Sequence, residues 1–301
     1  MLTEIIIISG FLGAGKTTFI QKLLRETWKD EKVVLIENDF GDISVDAALL
    51  KSGGIEVREI NSGCICCSLS GDFIKAIQEL LNRFQPDKII IEPSGVSKLS
   101  DIIKACSDPR VLSLIKIKSK MNIVDVKRCQ MYLDNFGEFF EDQIKEADTI
   151  LLSRVEAFPE KIEAAQEMIK NLNPQAIIYS KPWDKISADE IFHPHFIPAH
   201  SHDCSCGHTH SAEDAFDTIT IGLGKIWSAE DLKARVSMME RNAEGTILRA
   251  KGIVHGPNGY LNLQYIPGET KISDCVSKGN SISIIGHNLN KHELYAFFSE
   301  E

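Results

Sequence analysis

The sequence predicts an α/β fold: a mostly parallel sheet with helices on both faces, followed by a small α+β domain. Three observations predict it. Up to about residue 180, short apolar runs alternate with helical patterns. A glycine-rich loop interrupts the first alternation, directly after Ile5-Ile6-Ile7-Ile8. The rhythm breaks near Pro182, and a run of strands flanked by helices occupies the rest of the chain. Alternation of the first kind implies parallel strands covered on both faces. Ligands then bind outside the carboxyl ends of the strands.

The first strand is expected at Glu4–Ser9, and a helix from Thr18 to Lys29. Between them stands Gly10-Phe11-Leu12-Gly13-Ala14-Gly15-Lys16-Thr17, the G-x-x-x-x-G-K-[ST] pattern in its strand–loop–helix setting. Such a loop wraps backbone N–H groups around nucleotide phosphates at a helix N-terminus. Gly10, Gly13, Ala14, Gly15, Lys16, Thr17 and Thr18 are therefore candidate phosphate-binding residues. Lys16 reaches the outer phosphates, and the Thr17 hydroxyl helps hold Mg²⁺. The fold class is thus that of a P-loop NTPase.

Further strands are expected at Val33–Glu37, Ile55–Ile60, Lys88–Glu92, Met121–Val126, Thr149–Ser153 and Ala176–Ser180. Phe73, Ile74, Ile77, Leu80, Leu81 and Phe84 follow helical spacing, as do Ile162, Ala165, Met168, Ile169 and Leu172. Residues 184–214 hold six of the nine histidines and read as a linker. Beyond it come a strand at Phe216–Leu223, a helix at Ser228–Asn242 and strands near Thr246–Val254, Tyr260–Tyr265 and Ser281–Ile285. A last helix is expected at Asn290–Phe298. Ser228 followed by Asp231 is a loose helix-start signature. The expected division is 1–183 for the nucleotide-binding domain, 184–214 for a His/Cys-rich linker and 215–301 for the α+β domain.

Composition narrows the function. A net charge of −10 argues against broad binding to nucleic acid or anionic membranes. No apolar run approaches the ~20 residues of a membrane span. The chain enters its first strand without a basic flank or cleavage site, so a cytoplasmic location is expected, where thiols stay reduced. Clustered cysteines there read as metal or redox sites.

Two cysteine-bearing segments stand out. Cys64, Cys66 and Cys67 put three potential thiolates in one tight loop between a strand and a helix. Thiolates select Zn²⁺, Cu(I) or similarly soft ions. Three sulfurs leave a four-ligand site incomplete, which suits cargo that has to leave. A redox pair and packed thiols are the alternatives. His200, His202, Cys204, Cys206, His208 and His210, with His193 and His195 upstream, form a second tract suited to Zn²⁺, Ni²⁺ or Co²⁺. An incidental polar linker is the alternative. Cys106, Cys129 and Cys275 stand alone and read as packed. Trp28, Trp183 and Trp227 are too dispersed for a nucleic-acid stacking platform.

Phosphoryl transfer also needs carboxylates at strand ends. Glu92 closes the strand Lys88–Glu92, and Glu37, Asp39 and Asp42 form a second acidic cluster able to hold Mg²⁺ or another cation.

Several segments together resemble the CobW-type branch of the SIMIBI P-loop GTPases, relatives of HypB and UreG. They are the phosphate loop, Val33-Val34-Leu35-Ile36-Glu37-Asn38-Asp39-Phe40-Gly41, Asn61-Ser62-Gly63-Cys64-Ile65-Cys66-Cys67 and Ile91-Glu92-Pro93-Ser94-Gly95. Ile247-Leu248-Arg249-Ala250-Lys251-Gly252 and Ile284-Ile285-Gly286 resemble that family's C-terminal domain. The resemblance implies a GTP-hydrolysing metallochaperone or metal-insertion factor, typically for zinc or cobalt. Its client would be a metalloprotein or cofactor-assembly enzyme. It also implies that Glu92-Pro93-Ser94-Gly95 replaces the usual Asp-x-x-Gly switch, with Gly95 sensing the terminal phosphate through its N–H. In the family the cysteine loop lies beside the nucleotide.

The base-recognition position reads Ser153-Arg154-Val155-Glu156 where GTPases usually carry Asn-Lys-x-Asp. Arg154 and Glu156 keep the charges, and Glu156 has an acceptor for guanine N1–H. Ser153 is too short for the contacts of Asn, so GTP against ATP stays open. Ser180-Lys181 is a further base-pocket candidate. A P-loop ATPase or phosphotransferase with structural cysteines, and a metal-binding buffer, remain the competing functions.

Overall fold

The computed structural model describes residues 2–28, 31–37, 56–59, 71–192 and 216–298. The chain divides into two compact units, one formed by the described residues up to Phe192 and one by residues 216–298.

The first unit is built on seven parallel strands: β1 (Thr3–Gly10), β2 (Val33–Glu37), β3 (Glu56–Glu59), β4 (Lys88–Glu92), β5 (Ile115–Asp125), β6 (Thr149–Ser153) and β7 (Ile177–Tyr179). Their order is β3-β2-β4-β1-β5-β6-β7. Ile5, Ile6, Ile7 and Ile8 are all buried, as both faces of a covered parallel strand must be. The described helices are α1 (Lys16–Glu26), α2 (Gly71–Phe84), α3 (Leu99–Cys106), α4 (Pro109–Leu112), α5 (Cys129–Lys145), α6 (Ile162–Leu172) and α7 (Ala188–Phe192). The chain leaves β1 toward β2 and leaves β5 toward β6, in opposite directions across the sheet. That divergence opens a crevice at the carboxyl ends of β1 and its neighbours.

All seven expected strands of this unit are present. Strand ends shift by a residue in several of them, and two elements, α1 and β5, differ by more. Helix α1 starts at Lys16, capped by Gly15, and ends at Glu26 rather than Lys29. Strand β5 begins at Ile115, ahead of the apolar run at Met121, because its polar leading half pairs with β1 from Thr3 onward. A short turn at Trp183–Lys185 and α7 continue the unit past residue 183. They are held by Lys22, which donates to the Ile186 carbonyl (3.2 Å), and by Trp28 against Phe192 (ring centroids 5.3 Å apart).

The second unit is an antiparallel sheet of β8 (Asp217–Gly222), β9 (Thr246–Gly256), β10 (Gly259–Ile266), β11 (Glu269–Cys275) and β12 (Ser281–His287), in the order β11-β10-β9-β12-β8. Helices α8 (Ala229–Asn242) and α9 (Lys291–Phe298) supply Leu232, Val236, Met239, Leu294 and Phe298 to its core, against Ile219, Leu261, Leu263, Ile282 and Ile284. The two sequence segments singled out in this unit are paired neighbours, with Ile284 opposite Ala250. The Ser228–Asp231 signature is a real cap: Ser228 Oγ accepts from the Asp231 N–H (3.0 Å) and donates to its carboxylate (2.7 Å). Strand β11 is the element not anticipated. It is a mostly exposed edge strand with little apolar signal. The Pro267-Gly268 turn ahead of it was the available cue.

Leu263 is fully buried at the centre of that core. Leu263→Ala is expected to destabilise the second unit by about 2–5 kcal/mol, read as a lowered midpoint in urea unfolding.

Candidate functional site

The loop after β1 is shaped by its glycines. Gly10, Gly13 and Gly15 all have positive φ (147°, 70° and 107°). A Cβ on Gly10 would lie 2.7 Å from the Ile123 carbonyl oxygen, so only glycine lets β1 turn into the loop beside β5. Gly15 then caps α1, which has no side-chain cap and no acidic residue in its first turn. Its N-terminal N–H groups therefore face no competing anion of the helix itself. Lys16 is buried (6% exposed) and its Nζ donates to the Gly10 (2.8 Å) and Phe11 (3.4 Å) carbonyls. The ammonium is thus folded along the loop's inner edge.

The carboxyl end of β4 meets this loop. Thr17 Oγ1 donates to Glu92 Oε1 at 3.0 Å. Glu92 is the register partner of Glu37 on β2, and both are buried (6% and 4% exposed). Register partners on parallel strands project from the same face, with the strands ~4.8 Å apart. A hydroxyl and two carboxylates therefore gather beside the phosphate loop. All are hard oxygen donors, the set that suits Mg²⁺. After Glu92 the chain runs buried through Pro93, Ser94 and Gly95. A Cβ on Gly95 would stand 2.7 Å from the Leu12 nitrogen, so the two backbones touch with no room for a side chain.

The base-side loop follows β6. Ser153 is buried and Glu156 is exposed. Arg154 adopts a left-handed conformation (φ 61°). Its Nε donates to Asp125 Oδ2 (2.9 Å), and its guanidinium reaches the Gly13 carbonyl (3.5 Å). Arg128 donates to the same oxygen (2.7 Å), so two guanidinium groups share Asp125 Oδ2. Trp183 closes this end. Its N–H donates to the Leu152 carbonyl (2.9 Å), and its ring lies against Gly15 and meets Phe19 edge-on (5.2 Å).

The structure thus brings together Gly10, Gly13, Gly15, Lys16, Thr17, Glu92, Gly95 and Arg154, with Glu37 alongside Glu92. Ala14 and Thr18 lie in the same loop and first helical turn. Asp39, Asp42, Cys64, Cys66, Cys67, His200, His202, Cys204, Cys206, His208 and His210 lie outside the described residues. The last described residue of β3, Glu59, is the register partner of Glu37. Among the described residues no cluster of His, Cys, Asp and Glu is arranged to hold a metal ion. Asp125 and Trp183 were not singled out as site residues. Asp125 carried a usable signal, a charge closing an apolar strand as in Glu37 and Glu92.

Residues 4–180 match the family described as CobW/HypB/UreG, nucleotide-binding domain. The chain belongs to this family. It is 29% identical over 298 residues to the zinc chaperone CobW of a Sinorhizobium species, covering 85% of this chain and 82% of that one. It is 32% identical over 166 residues to the zinc chaperone YeiR of Escherichia coli K12, covering 55% of this chain and 51% of that one. The fold matches that of Zn(II)-bound YjiA GTPase from E. coli, with a TM-score of 0.51 at 19% identity over 99% of this chain and 98% of that one.

Of the solitary cysteines, Cys106 and Cys129 are buried and packed as expected, whereas Cys275, at the end of edge strand β11, is only half-buried. Burial pushes the Cys106 thiol up to about 12 and raises that of Cys129. At pH 8 both are expected to resist iodoacetamide in the native protein and to react once it is unfolded in urea. Peptide mapping by mass spectrometry checks this. Gly95→Ala is expected to weaken nucleotide binding, because its Cβ displaces the Leu12 backbone; calorimetric titration reads the change.

Proposed function

We propose that this chain is a GTP-hydrolysing metallochaperone that couples nucleotide state to the binding and delivery of a transition metal. The observation that carries the reading is the junction of Thr17, Glu92 and the phosphate loop, in a chain of the CobW/HypB/UreG family. The two named relatives are zinc chaperones, which supports a metal as cargo.

The reaction is hydrolysis of the terminal anhydride: water attacks the γ-phosphorus, the bond to the β–γ bridging oxygen breaks, and GDP and phosphate leave. Little covalent work falls to the protein, and positioning with charge neutralisation does most of it. Loop N–H groups from Gly13 to Thr18 hold the phosphates. Lys16 swings from the Gly10 and Phe11 carbonyls to the outer phosphate oxygens. Thr17 and Glu92, with Glu37, would hold Mg²⁺, which when bound neutralises charge on the β- and γ-oxygens. The Gly95 N–H contacts the γ-phosphate, and Glu92 helps orient the attacking water. Ser153, Arg154 and Glu156 line the base pocket. Arg154 supports the phosphate loop from that side, and exposed Glu156 presents its carboxylate to the guanine N1–H and amino group.

The cargo site is the Cys64, Cys66 and Cys67 thiolate set, with Glu37, Asp39 and Asp42 as neighbouring oxygen donors. His200, His202, Cys204, Cys206, His208 and His210 act as an exchangeable collecting tract. Zn²⁺ is the leading cargo, and Co²⁺ and Ni²⁺ fit the same donors. Loss of the γ-phosphate releases the loops that it holds, and with them the metal, to a client metalloprotein or cofactor-assembly enzyme. Among the described residues no helix is long and apolar enough to cross a membrane, in keeping with a cytoplasmic site of action.

The test is titration of the metal-free protein with Zn²⁺ and Co²⁺, with and without a non-hydrolysable GTP analogue. Metal affinity is expected to change on adding the analogue and to fall in Cys66→Ala. Lys16→Ala is expected to lower GTP turnover by about 10²-fold or more. Metal affinity indifferent to nucleotide would defeat the coupling. ATP preference with indifference to Cys66 would favour a phosphotransferase, a reading that Ser153 in place of Asn keeps alive.

A further inference from the structure

Helix α5 holds both phosphate-contacting segments at once. Toward its amino end, Tyr132 donates its hydroxyl to the Leu12 carbonyl (3.2 Å). Phe11 of the loop sits among Tyr132, Phe136 and Phe140, with ring centroids 4.4, 5.7 and 5.9 Å away. Toward its carboxyl end, Gln143 Nε2 donates to the Gly95 (3.0 Å) and Ser97 (2.8 Å) carbonyls. Asp142 accepts from the Ser100 N–H (3.0 Å), and Glu138 pairs with buried Lys98. Between the two grips, at Phe136, the helix leaves helical geometry (φ −137°, ψ 32°).

Gln143 is the informative member. It is fully buried, and both N–H groups of its amide are spent on one loop. Its Oε1 is buried without a hydrogen-bond partner, an arrangement that stability alone does not favour. The two carbonyls it holds bracket Val96 and fix the peptide that follows Gly95. That loop in turn presses Gly95 onto Leu12.

We infer that Gln143 is a positioning residue for hydrolysis: from α5 it sets the Gly95 loop against the phosphate loop, so that a triphosphate is recognised and a diphosphate is not. This rests on the proposed reading of the site as a GTPase with Gly95 at the γ-phosphate. The diphosphate-holding groups lie in the phosphate loop and at the start of α1, which Gln143 does not touch. Its loss should therefore separate the two nucleotides.

Three variants of the full chain test it. Gln143→Met keeps the volume and removes both donors. With Mg²⁺ and GTP, kcat is expected to fall about 10- to 100-fold. Affinity for fluorescently labelled GDP should stay within twofold, and that for the matching non-hydrolysable GTP analogue should drop. Gln143→Glu turns an acceptor toward two carbonyls, and its protonated carboxyl regains one donor. Its kcat relative to wild type is expected to rise as pH is lowered from 8 to 6. Gln143→Asn keeps the amide one methylene short; it is expected to be intermediate and serves if Gln143→Met does not fold. Wild-type kcat in a folded Gln143→Met or Gln143→Asn protein overturns the inference. So does an equal loss of GDP and GTP-analogue affinity, which marks a merely structural role. Absence of GTP turnover in the wild-type chain overturns the functional reading instead.

Discussion

The constraint on which the site depends is the contact between the backbones of Gly95 and Leu12, where a single added carbon would lie 2.7 Å from a main-chain nitrogen. It exists because β1 and β4 are adjacent and parallel, with Ile7 beside Ile91. Parallel neighbours release their loops on the same side of the sheet, and the two loops leaving β1 and β4 have to share the space above them. The phosphate loop curls into that space and the Glu92–Gly95 segment crosses its flank. The Thr17–Glu92 hydrogen bond follows from that juxtaposition. Were β4 one strand further from β1, Glu92 would stand ~5 Å further off and the hydroxyl could not reach it.

The same geometry explains the charge arrangement. Two carboxylates on register-paired residues repel, and burial sharpens the repulsion. Nature tolerates such pairs where cationic groups or metal ions sit between or beside them. Here the Lys16 ammonium and the amino end of α1 lie on one side, and the Glu59 end of β3 opens on the other. Hard oxygen donors beside the phosphate loop suit a hard ion, and the cysteines suit a soft one.

Much of this was legible in the sequence because strong physical signals coincide with function. Buried parallel strands are largely apolar, so β1, β2, β4, β6 and the buried end of β5 were readable on that ground. The phosphate loop and the strand-end carboxylates Glu37 and Glu92 are breaks in that apolar pattern. Strand β11 was not legible because an edge strand with exposed side chains has no burial to enforce a pattern. The start of α1 was misplaced by two residues because a glycine cap with no side-chain bond carries no Ser, Thr or Asp signature. Gln143 and Tyr132 were invisible for a different reason. Each is an ordinary residue within an amphipathic helix, and its use depends on contacts more than forty positions away in sequence. The domain limit near residue 183 rested on the break in rhythm and on composition, whereas Lys22 and Trp28 reach across to the segment beyond it.

The base-side end shows why arginine at 154 is more than a retained charge. A lysine offers one point of attachment, while a guanidinium offers a fork. Arg154 uses the fork to bind Asp125 at the end of β5 and the Gly13 carbonyl of the phosphate loop together. Arg128 donates to the same Asp125 oxygen, so two cations share one buried carboxylate. Trp183 adds an apolar brace from the Leu152 carbonyl to Gly15 and Phe19. The loops after β1, β5, β6 and β7 are thereby joined into one framework across the crevice. The loop after β4 joins that framework through the Thr17–Glu92 hydrogen bond and the Gly95–Leu12 contact, and is fastened to α5 as well. Helix α5 therefore holds the phosphate loop and the Gly95 loop together.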